Sequence, residues 1–195
     1  KQAQAKKANE KKPAVKDWIY APSWKRTPSI ELLHAELVAP TDEKGVWIIF
    51  ADDTFAASIT SILEVQGETF YTVRKGEKFN RTGNEFTIDP TQKNDYISLF
   101  DNIQAGGSPV HIIHGWNLTG DKPIELAYDN ADRFTQDGFY NLFYLEQSRR
   151  EKKGVNNGAL IVLTDGLFDI NGEGILHPQK ALAVGPVRVL YKEHT

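Results

Sequence analysis

Three apolar runs, each about the length of one strand, constrain the fold of this 195-residue chain more than any other feature. They cover residues 45–51, 110–116 and 159–164 and are rich in valine, isoleucine and leucine. Runs that are apolar at most positions are typical of parallel strands covered on both faces. Parallel neighbours need crossover segments, and helix-period sequence lies between the runs. The chain is therefore predicted to be α/β, with a truncated Rossmann-like fold: a mostly parallel sheet flanked by helices.

The helices are predicted from apolar residues that recur every three or four positions. Residues 54–65 form the first helix, and Gly67 marks its end. Its core-facing residues are predicted to be Phe55, Ile59, Ile62 and Leu63. The longest helix is predicted over residues 132–152, with Phe139, Phe143 and Leu145 facing the core.

The remaining elements are shorter. Strands are predicted at 18–24, 69–73, 85–88 and 187–191, and helical segments at 30–38, 95–103 and 178–184. The first and last of these strands alternate bulky with small or polar residues, which is the pattern of a strand with one exposed face. We expect these two strands to lie close together and to expose an apolar patch larger than a free monomer usually shows.

Composition excludes several kinds of site. Apolar residues make up 40% of the chain and charged residues 25%, as in ordinary globular domains. The absence of cysteine excludes disulfides, thiolate nucleophiles and cysteine-ligated zinc. A chain without methionine, even at position 1, is expected to be a processed product or a fragment. No apolar run approaches the roughly 18 residues of a membrane span and no signal peptide is visible, so a cytoplasmic location is expected.

Residues 1–16 differ from the rest in charge. They hold six lysines and one glutamate, a net charge of +5, whereas the remainder carries −8. A nucleic-acid arm would be expected to carry arginine and aromatic residues, and this tail has neither. Residues 1–16 are therefore predicted to be a basic flexible linker that is dispensable for folding, and residues 17–195 one domain.

The first strand-to-helix turn tests for dinucleotide binding. A Rossmann site needs glycines there, because the backbone must approach the pyrophosphate at the helix N-terminus. This chain has Asp52-Asp53-Thr54-Phe55 after the first apolar run, with no glycine. Two carboxylates would cap the helix but repel phosphate charges. The sequence therefore predicts no bound NADPH or NADH.

Other catalytic and metal constellations are also incomplete. His111 and His114 are three residues apart on a predicted strand, so they point to opposite faces and cannot share a metal ion. Residues 169–174 resemble the start of a calcium loop, but its twelfth position would be Lys180 instead of glutamate. We find no Gly-x-Ser-x-Gly elbow, and the Tyr-x-x-x-Lys spacing of short-chain reductases is also expected to be absent. No catalytic, cofactor-binding or metal-binding residue is therefore predicted. The bulky aromatic residues are predicted to serve core and interface packing: Trp18, Tyr20, Trp24, Trp47 and Trp116.

Four blocks, read together, carry a resemblance to a known family. Residues 17–26 resemble the opening of ketoreductase regions in type I modular polyketide synthases. Residues 111–119 resemble that family's "IVHLW" strand, and residues 138–145 are similar to its "GFYSLLFLA" helix. Residues 178–181 and 185–189 resemble its closing "P-x-KA…LGPVKV" stretch. The blocks occur in the family's order and span most of the chain.

The resemblance implies a specific role. Such ketoreductases have two Rossmann-like halves: a structural subdomain without cofactor, and a catalytic subdomain with the NADPH loop and the Lys, Ser, Tyr and Asn that react. This chain matches the first half, so no catalysis of its own is expected. The implied partners are the catalytic subdomain, adjacent polyketide synthase domains and acyl carrier protein, with neither nucleic acid nor membrane.

Two departures from the family pattern leave alternatives open. Phe55-Ala56-Ala57 stand where the family usually has glycines, and residues 149–153 are unusually charged. One alternative is an orphan pseudo-ketoreductase, a scaffold beside a methyltransferase or other domain without a partner reductase. A second is an autonomous NAD(P)H-dependent reductase. A third is a module that binds carrier protein or neighbouring domains.

Overall fold

The computed structural model describes residues 44–120, 131–152, 154–155, 158–169 and 177–193. The predicted strand 18–24, the segment 30–38 and the basic tail lie outside these residues. The described elements, in chain order, are β1 (Val46–Phe50), α1 (Asp53–Gln66), β2 (Thr69–Lys75), β3 (Asn80–Thr82), β4 (Glu85–Ile88), α2 (Lys93–Asp101), β5 (Val110–Asn117), α3 (Ala131–Thr135), a π-helical segment (Gln136–Tyr140), α4 (Asn141–Glu151), β6 (Leu160–Thr164), a 3-10 turn (Pro178–Ala183) and α5 (Val184–Glu193).

The strands form one sheet in the order β3-β4-β2-β1-β5-β6. All neighbouring pairs are parallel except β3 and β4. The three apolar runs of the sequence are the adjacent strands β1, β5 and β6. The predicted α/β fold with a mostly parallel sheet flanked by helices is confirmed.

Helices cover both faces of the sheet, and alternate residues of β1 supply the two cores. Ile48 and Phe50 belong to the larger core, which α2 and α4 complete with residues such as Tyr96 and Leu142. Ile49 lies in the smaller core beneath α1. Because α1 and α2 cover opposite faces, the chain can wind away from β1 in both directions. In the described part of the chain, no helix is long and apolar enough to cross a membrane.

Local signals define the ends of α1. Asp52 is its N-cap, and Gly67 ends it in the left-handed conformation at φ 67°. Leu63 is buried as predicted, but Ile62 is 58% exposed, so its predicted core position is wrong. The two are neighbours in sequence and about 100° apart around the helix axis, and only Leu63 packs in the core beneath α1.

The predicted helix 132–152 is interrupted by the π-helical segment, and its buried face differs from the prediction. Phe139 and Phe143 are 38% and 42% exposed. Leu145 is buried as predicted, and the other core-facing residues are Phe134, Gly138 and Leu142. Glycine fits at position 138 because a Cβ there would lie 3.3 Å from Leu182 Cβ on the 3-10 turn. The helix approaches that turn closely at Gly138, while the two phenylalanines lie at the surface.

The predicted closing strand at residues 187–191 is wrong, because α5 includes them. Pro186 is tolerated since it falls in the first turn of the helix, where backbone N–H groups have no helical partner. The expected patch between two strands is therefore not formed by this segment. Val187 and Val189 are nevertheless 39% and 54% exposed, so the region remains apolar at its surface.

Candidate functional site: the crevice between β1 and β5

The crevice lies where the sheet changes its winding direction. The chain passes from β1 to β2 and β4 on one side, then returns to β5 and β6 on the other. In α/β proteins, ligands bind at this switch point, beyond the carboxyl ends of the strands. A recess of about 510 Å³ occupies the position, large enough for a small ligand. Its lining residues are Ala51, Asp52, Asp53, Thr54, Arg74, Lys75, Gly115, Trp116 and Leu118.

The N-terminus of α1, which would hold a phosphate, is occupied by its own cap. Asp52 Oδ1 accepts a hydrogen bond from the Phe55 backbone N–H at 3.0 Å. A bound phosphate would use the same kind of donor. Asp52 thus caps the helix as predicted and supplies from within the chain the negative charge that the helix terminus attracts.

Phe55 fills the space above the end of β5. A Cβ added to Gly115 would lie 3.0 Å from Phe55 Cε1 and 3.3 Å from the Phe50 carbonyl oxygen. Glycine at 115 therefore allows the phenylalanine ring, rather than a ligand, to approach the strand backbone. A bulge in β5 between His114 and Asn117 also interrupts its pairing with β6 here.

Two cations at the end of β2 are the feature that sequence reasoning missed. Arg74 Nε lies 2.7 Å from Asp53 Oδ1. Lys75 Nζ lies 2.5 Å from Asp137 Oδ1 and 5.3 Å from the Trp116 ring centre. The strand runs two residues beyond the predicted 69–73 and so carries both side chains to the edge where Asp52 and Asp53 lie. The charges that would attract a nucleotide are therefore paired with carboxylates of the chain.

The sequence does contain one Tyr-x-x-x-Lys match, Tyr71 to Lys75, so the expectation that the spacing is absent was wrong. Both residues lie on β2, not on a helix. Residues four apart on a strand are separated by about 13 Å, and Tyr71 is buried. On a helix the same spacing spans one turn. The pair therefore cannot form the proton relay of a reductase.

The two histidines of β5 face opposite sides of the sheet, as predicted. His111 stacks on Trp47 with ring centres 4.6 Å apart, and its Nδ1 accepts from the Ala159 N–H. His114 is fully buried against Phe50 and Trp116. Burial, together with the charge of Lys75, lowers the pKa of His114 to about 3, so it is neutral at physiological pH.

Metal binding finds no support in the part of the chain that the structure describes. None of its His, Asp and Glu side chains form a group of three that could hold a metal ion. Most of the calcium-like loop, residues 170–176, lies outside the described residues.

A second recess of about 490 Å³ adjoins the crevice. Asp165, which lines this recess, forms an ion pair with a buried lysine. Lys180 is 2% exposed; its Nζ pairs with the Asp165 carboxylate and donates to Thr119 Oγ1 at 2.6 Å. Asp165 also accepts from the Gly120 N–H at 2.7 Å. Burial alone would raise the pKa of Asp165, but the hydrogen bonds from Lys180, Thr119 and Gly120 hold it below its ordinary value. Sequence reasoning considered Lys180 as a failed calcium ligand and as part of the resemblance at residues 178–181, but did not predict its ion pair.

The chain matches one family model and is similar to several solved structures. A family model described as "Beta-ketoacyl synthase-like, N-terminal" matches residues 45–192. No curated protein matches the chain. One similar structure is described as "Adenylation, ketoreductase, and pseudo Asub multidomain structure of a keto acid-selecting NRPS module". The match has a TM-score of 0.62 at 25% identity and covers 76% of this chain but only 12% of that one.

Two further structures show the fold alone. An N-terminal ketoreductase from the macrolactin assembly line has a TM-score of 0.53 at 22% identity, covering 65% of this chain and 26% of that one. A short-chain dehydrogenase/reductase from Vibrio parahaemolyticus has a TM-score of 0.54 at 9% identity, covering 75% of each chain. The Rossmann-like outline predicted from the sequence is thereby confirmed.

Proposed function

Since the chain belongs to the beta-ketoacyl synthase-like N-terminal family, we propose that it is a non-catalytic structural subdomain of a ketoreductase region in a polyketide-type assembly line. Its role is to stabilise and organise the neighbouring catalytic, NADPH-binding subdomain. The family's name does not give this chain a condensing activity, because the chain has no cysteine to act as a thiolate nucleophile. Its similarity to a ketoreductase-containing module at 25% identity supports the ketoreductase context.

The observation that carries the proposal is that the polar groups around the crevice are paired with one another. Asp52 takes the helix N-terminus, and the Phe55 ring covers Gly115. Asp53 and Asp137 pair with Arg74 and Lys75. Each of these contacts uses a group that a reductase would keep for its cofactor. The chain accordingly binds no NADPH or NADH of its own, and the cofactor belongs to the catalytic subdomain.

An exposed aromatic surface supplies a place for that neighbour. Phe139, Tyr140, Phe143 and Tyr144, here called the aromatic face, follow one another along the π-helical segment and α4. Phe139 stacks on Phe143 with ring centres 6.1 Å apart, and Tyr140 stacks on Tyr144 at 6.0 Å. Aromatic side chains are enriched at protein interfaces, and three of these four are about 40% exposed.

The area of the aromatic face is enough to matter for docking. Covering the exposed part of three aromatic side chains would remove roughly 240 Å² of largely apolar surface from water. At the usual coefficient this contributes about 6 kcal/mol before the costs of association. The face therefore suits a neighbour held on the same polypeptide, where most of the orientational cost is already met.

The test is association with the catalytic subdomain of the parent protein, expressed separately and titrated by calorimetry. We expect a saturable complex that Phe143→Ser weakens at least about tenfold, because the variant removes an aromatic anchor. Val65→Ser is the matched control, since Val65 is 90% exposed on α1, outside the aromatic face. No association with the wild-type chain would contradict the proposal and favour the orphan scaffold. Acyl carrier protein can be titrated in the same way, as the other expected partner.

A further inference from the structure

The two edges of the sheet are built differently. The edge at β3 is a three-residue strand of polar and charged residues, antiparallel to β4, and the Arg81 guanidinium lies over the Phe86 ring. The edge at β6 has five residues, Leu-Ile-Val-Leu-Thr, without charge or proline. Short, charged strands discourage edge-to-edge pairing, whereas uncharged apolar edges favour it. Of the two edges formed by the described residues, β6 is the one without this protection.

The backbone of β6 offers unused hydrogen-bonding groups on its outer side. The Ala159 carbonyl accepts from the Ile112 N–H at 2.8 Å, and the Ala159 N–H donates to His111 Nδ1. The backbone of residue 159 therefore faces β5. Because these groups alternate along a strand, those of Leu160, Val162 and Thr164 face outward. Among the described residues, no strand pairs with this outer edge.

We propose that β6 pairs antiparallel with β6 of a second copy of this chain, with Val162 on the two-fold axis. The sheet then continues across both copies as twelve strands, twice the six of one chain. In this register Leu160 lies opposite Thr164 of the second copy, and Ile161 lies opposite Leu163. No charged residue opposes another, and Ile161, which is 39% exposed, gains an apolar cross-strand neighbour.

The assembly is closed rather than open-ended. A two-fold interface uses the same patch on both copies, so the β6 edge of each copy is paired and neither remains open. The β3 edges at the two ends of the joined sheet carry Arg81 and are only three residues long, which limits further pairing. The expected product is a dimer of modest affinity, because a five-residue strand contributes few hydrogen bonds. This inference does not depend on the proposed function.

Sedimentation velocity of the full chain over about 5 to 300 µM tests the proposal. We expect a monomer–dimer equilibrium that Ile161→Lys shifts toward monomer by at least about tenfold, because it places lysines at the paired edges. Ile62→Lys is the matched control, since Ile62 is an exposed isoleucine on α1, and it should leave the equilibrium unchanged. Circular dichroism verifies that both variants fold.

A cysteine variant tests the register. The chain has no cysteine of its own, so Val162→Cys introduces a single thiol. Residues at a hydrogen-bonded antiparallel pair are about 5.5 Å apart at Cα, within the range of a disulfide. Under mild oxidation this variant should cross-link to a dimer, and Val65→Cys should not. A chain that is monomeric throughout, or a dimer that responds to Phe143→Ser but not to Ile161→Lys, would overturn the proposal.

Discussion

The crevice between β1 and β5 and the aromatic face on the long helix differ in how their side chains are partnered. In the crevice, acidic and basic groups that an α/β enzyme would present to a ligand contact each other: Asp53 with Arg74 and Asp137 with Lys75. On the aromatic face, Phe139 and Phe143 are apolar groups that a folded chain usually buries, yet about two fifths of each is exposed. This contrast is what the proposed structural role leads us to expect, since a domain of that kind contacts a neighbour and holds no substrate.

The largest effect is expected from Asp165→Asn beside the crevice. The substitution leaves the buried Lys180 ammonium without its counter-charge, which should lower the free energy of unfolding by about 3 kcal/mol. Urea unfolding at pH 7 measures it. Phe143→Ser on the aromatic face is the comparison and should change stability far less. If the two variants lose equal free energy of unfolding, the ion pair beside the crevice contributes no more to stability than Phe143 does on the aromatic face.

The same ion pair gives a pH dependence with a defined sign. The pKa of Asp165 is lower in the folded protein than its ordinary value, so the folded state favours the ionised carboxylate. Its contribution is present above the ordinary aspartate pKa and is lost as the pH falls through the lowered value. The wild-type chain should therefore lose stability relative to Asp165→Asn below about pH 4. The assigned ion pair would be contradicted if the difference in free energy of unfolding between the wild-type chain and Asp165→Asn did not narrow at this low pH.

Phe55→Ala tests what the ring contributes where it packs against Gly115. Removing a half-buried phenylalanine from the smaller core should cost roughly 2 kcal/mol, less than a fully buried ring would. The variant should still bind no dinucleotide, because Asp52 continues to occupy the helix N-terminus. Thermal unfolding with and without NADPH measures both effects. Stabilisation by NADPH in the variant alone would show that the ring, and not the carboxylates, prevents binding.

Asp52→Ala removes the cap of α1 and should destabilise the chain by about 1 kcal/mol. Asp53→Ala is the control. It removes a carboxylate whose ion pair with Arg74 is largely exposed, and such pairs contribute about 0–1 kcal/mol. Equal losses in chemical denaturation would mean that the Asp52 hydrogen bond to Phe55 does not cap the helix.

The smallest effect on the isolated chain is expected on the aromatic face. Phe143→Ser should change the free energy of unfolding by no more than about 0.5 kcal/mol, because the side chain is already 42% exposed. Chemical denaturation of the chain alone measures this. A loss of about 2 kcal/mol or more would show that Phe143 belongs to the chain's own core, and the aromatic face would then not be available to a neighbour.

Features that depend on local sequence were predictable. The apolar runs became β1, β5 and β6, and Asp52 and Gly67 delimit α1, because strand burial and helix capping depend on a few adjacent residues. Features set by tertiary contacts were not. Gly138, and not a phenylalanine, lies against the 3-10 turn, and the alternation at residues 187–191 was too short to distinguish a strand from α5.

Only the acidic residues of the candidate site were predictable from the sequence. The sequence showed Asp52 and Asp53 after β1, but their partners come from other strands and helices. Arg74 follows a strand predicted two residues too short, and Lys180 reaches Asp165 across the end of β6. Arg74 could have been found by asking which charged residues lie at the carboxyl end of each strand, since the carboxyl ends of parallel strands meet at one edge of the sheet. Lys180 lies on the 3-10 turn, so this reasoning would not have found it.

Calorimetric titration of the full chain with NADPH to about 1 mM tests the central claim most directly, since that concentration reveals even weak dinucleotide binding. No saturable heat is expected, because the groups that would hold the diphosphate are engaged by Asp52, Asp53 and Asp137. The Arg74→Ala and Lys75→Ala variants show whether any binding takes place in the crevice. Saturable binding by the wild-type chain that either variant abolishes would place a cofactor in the crevice and contradict the account of a non-catalytic subdomain.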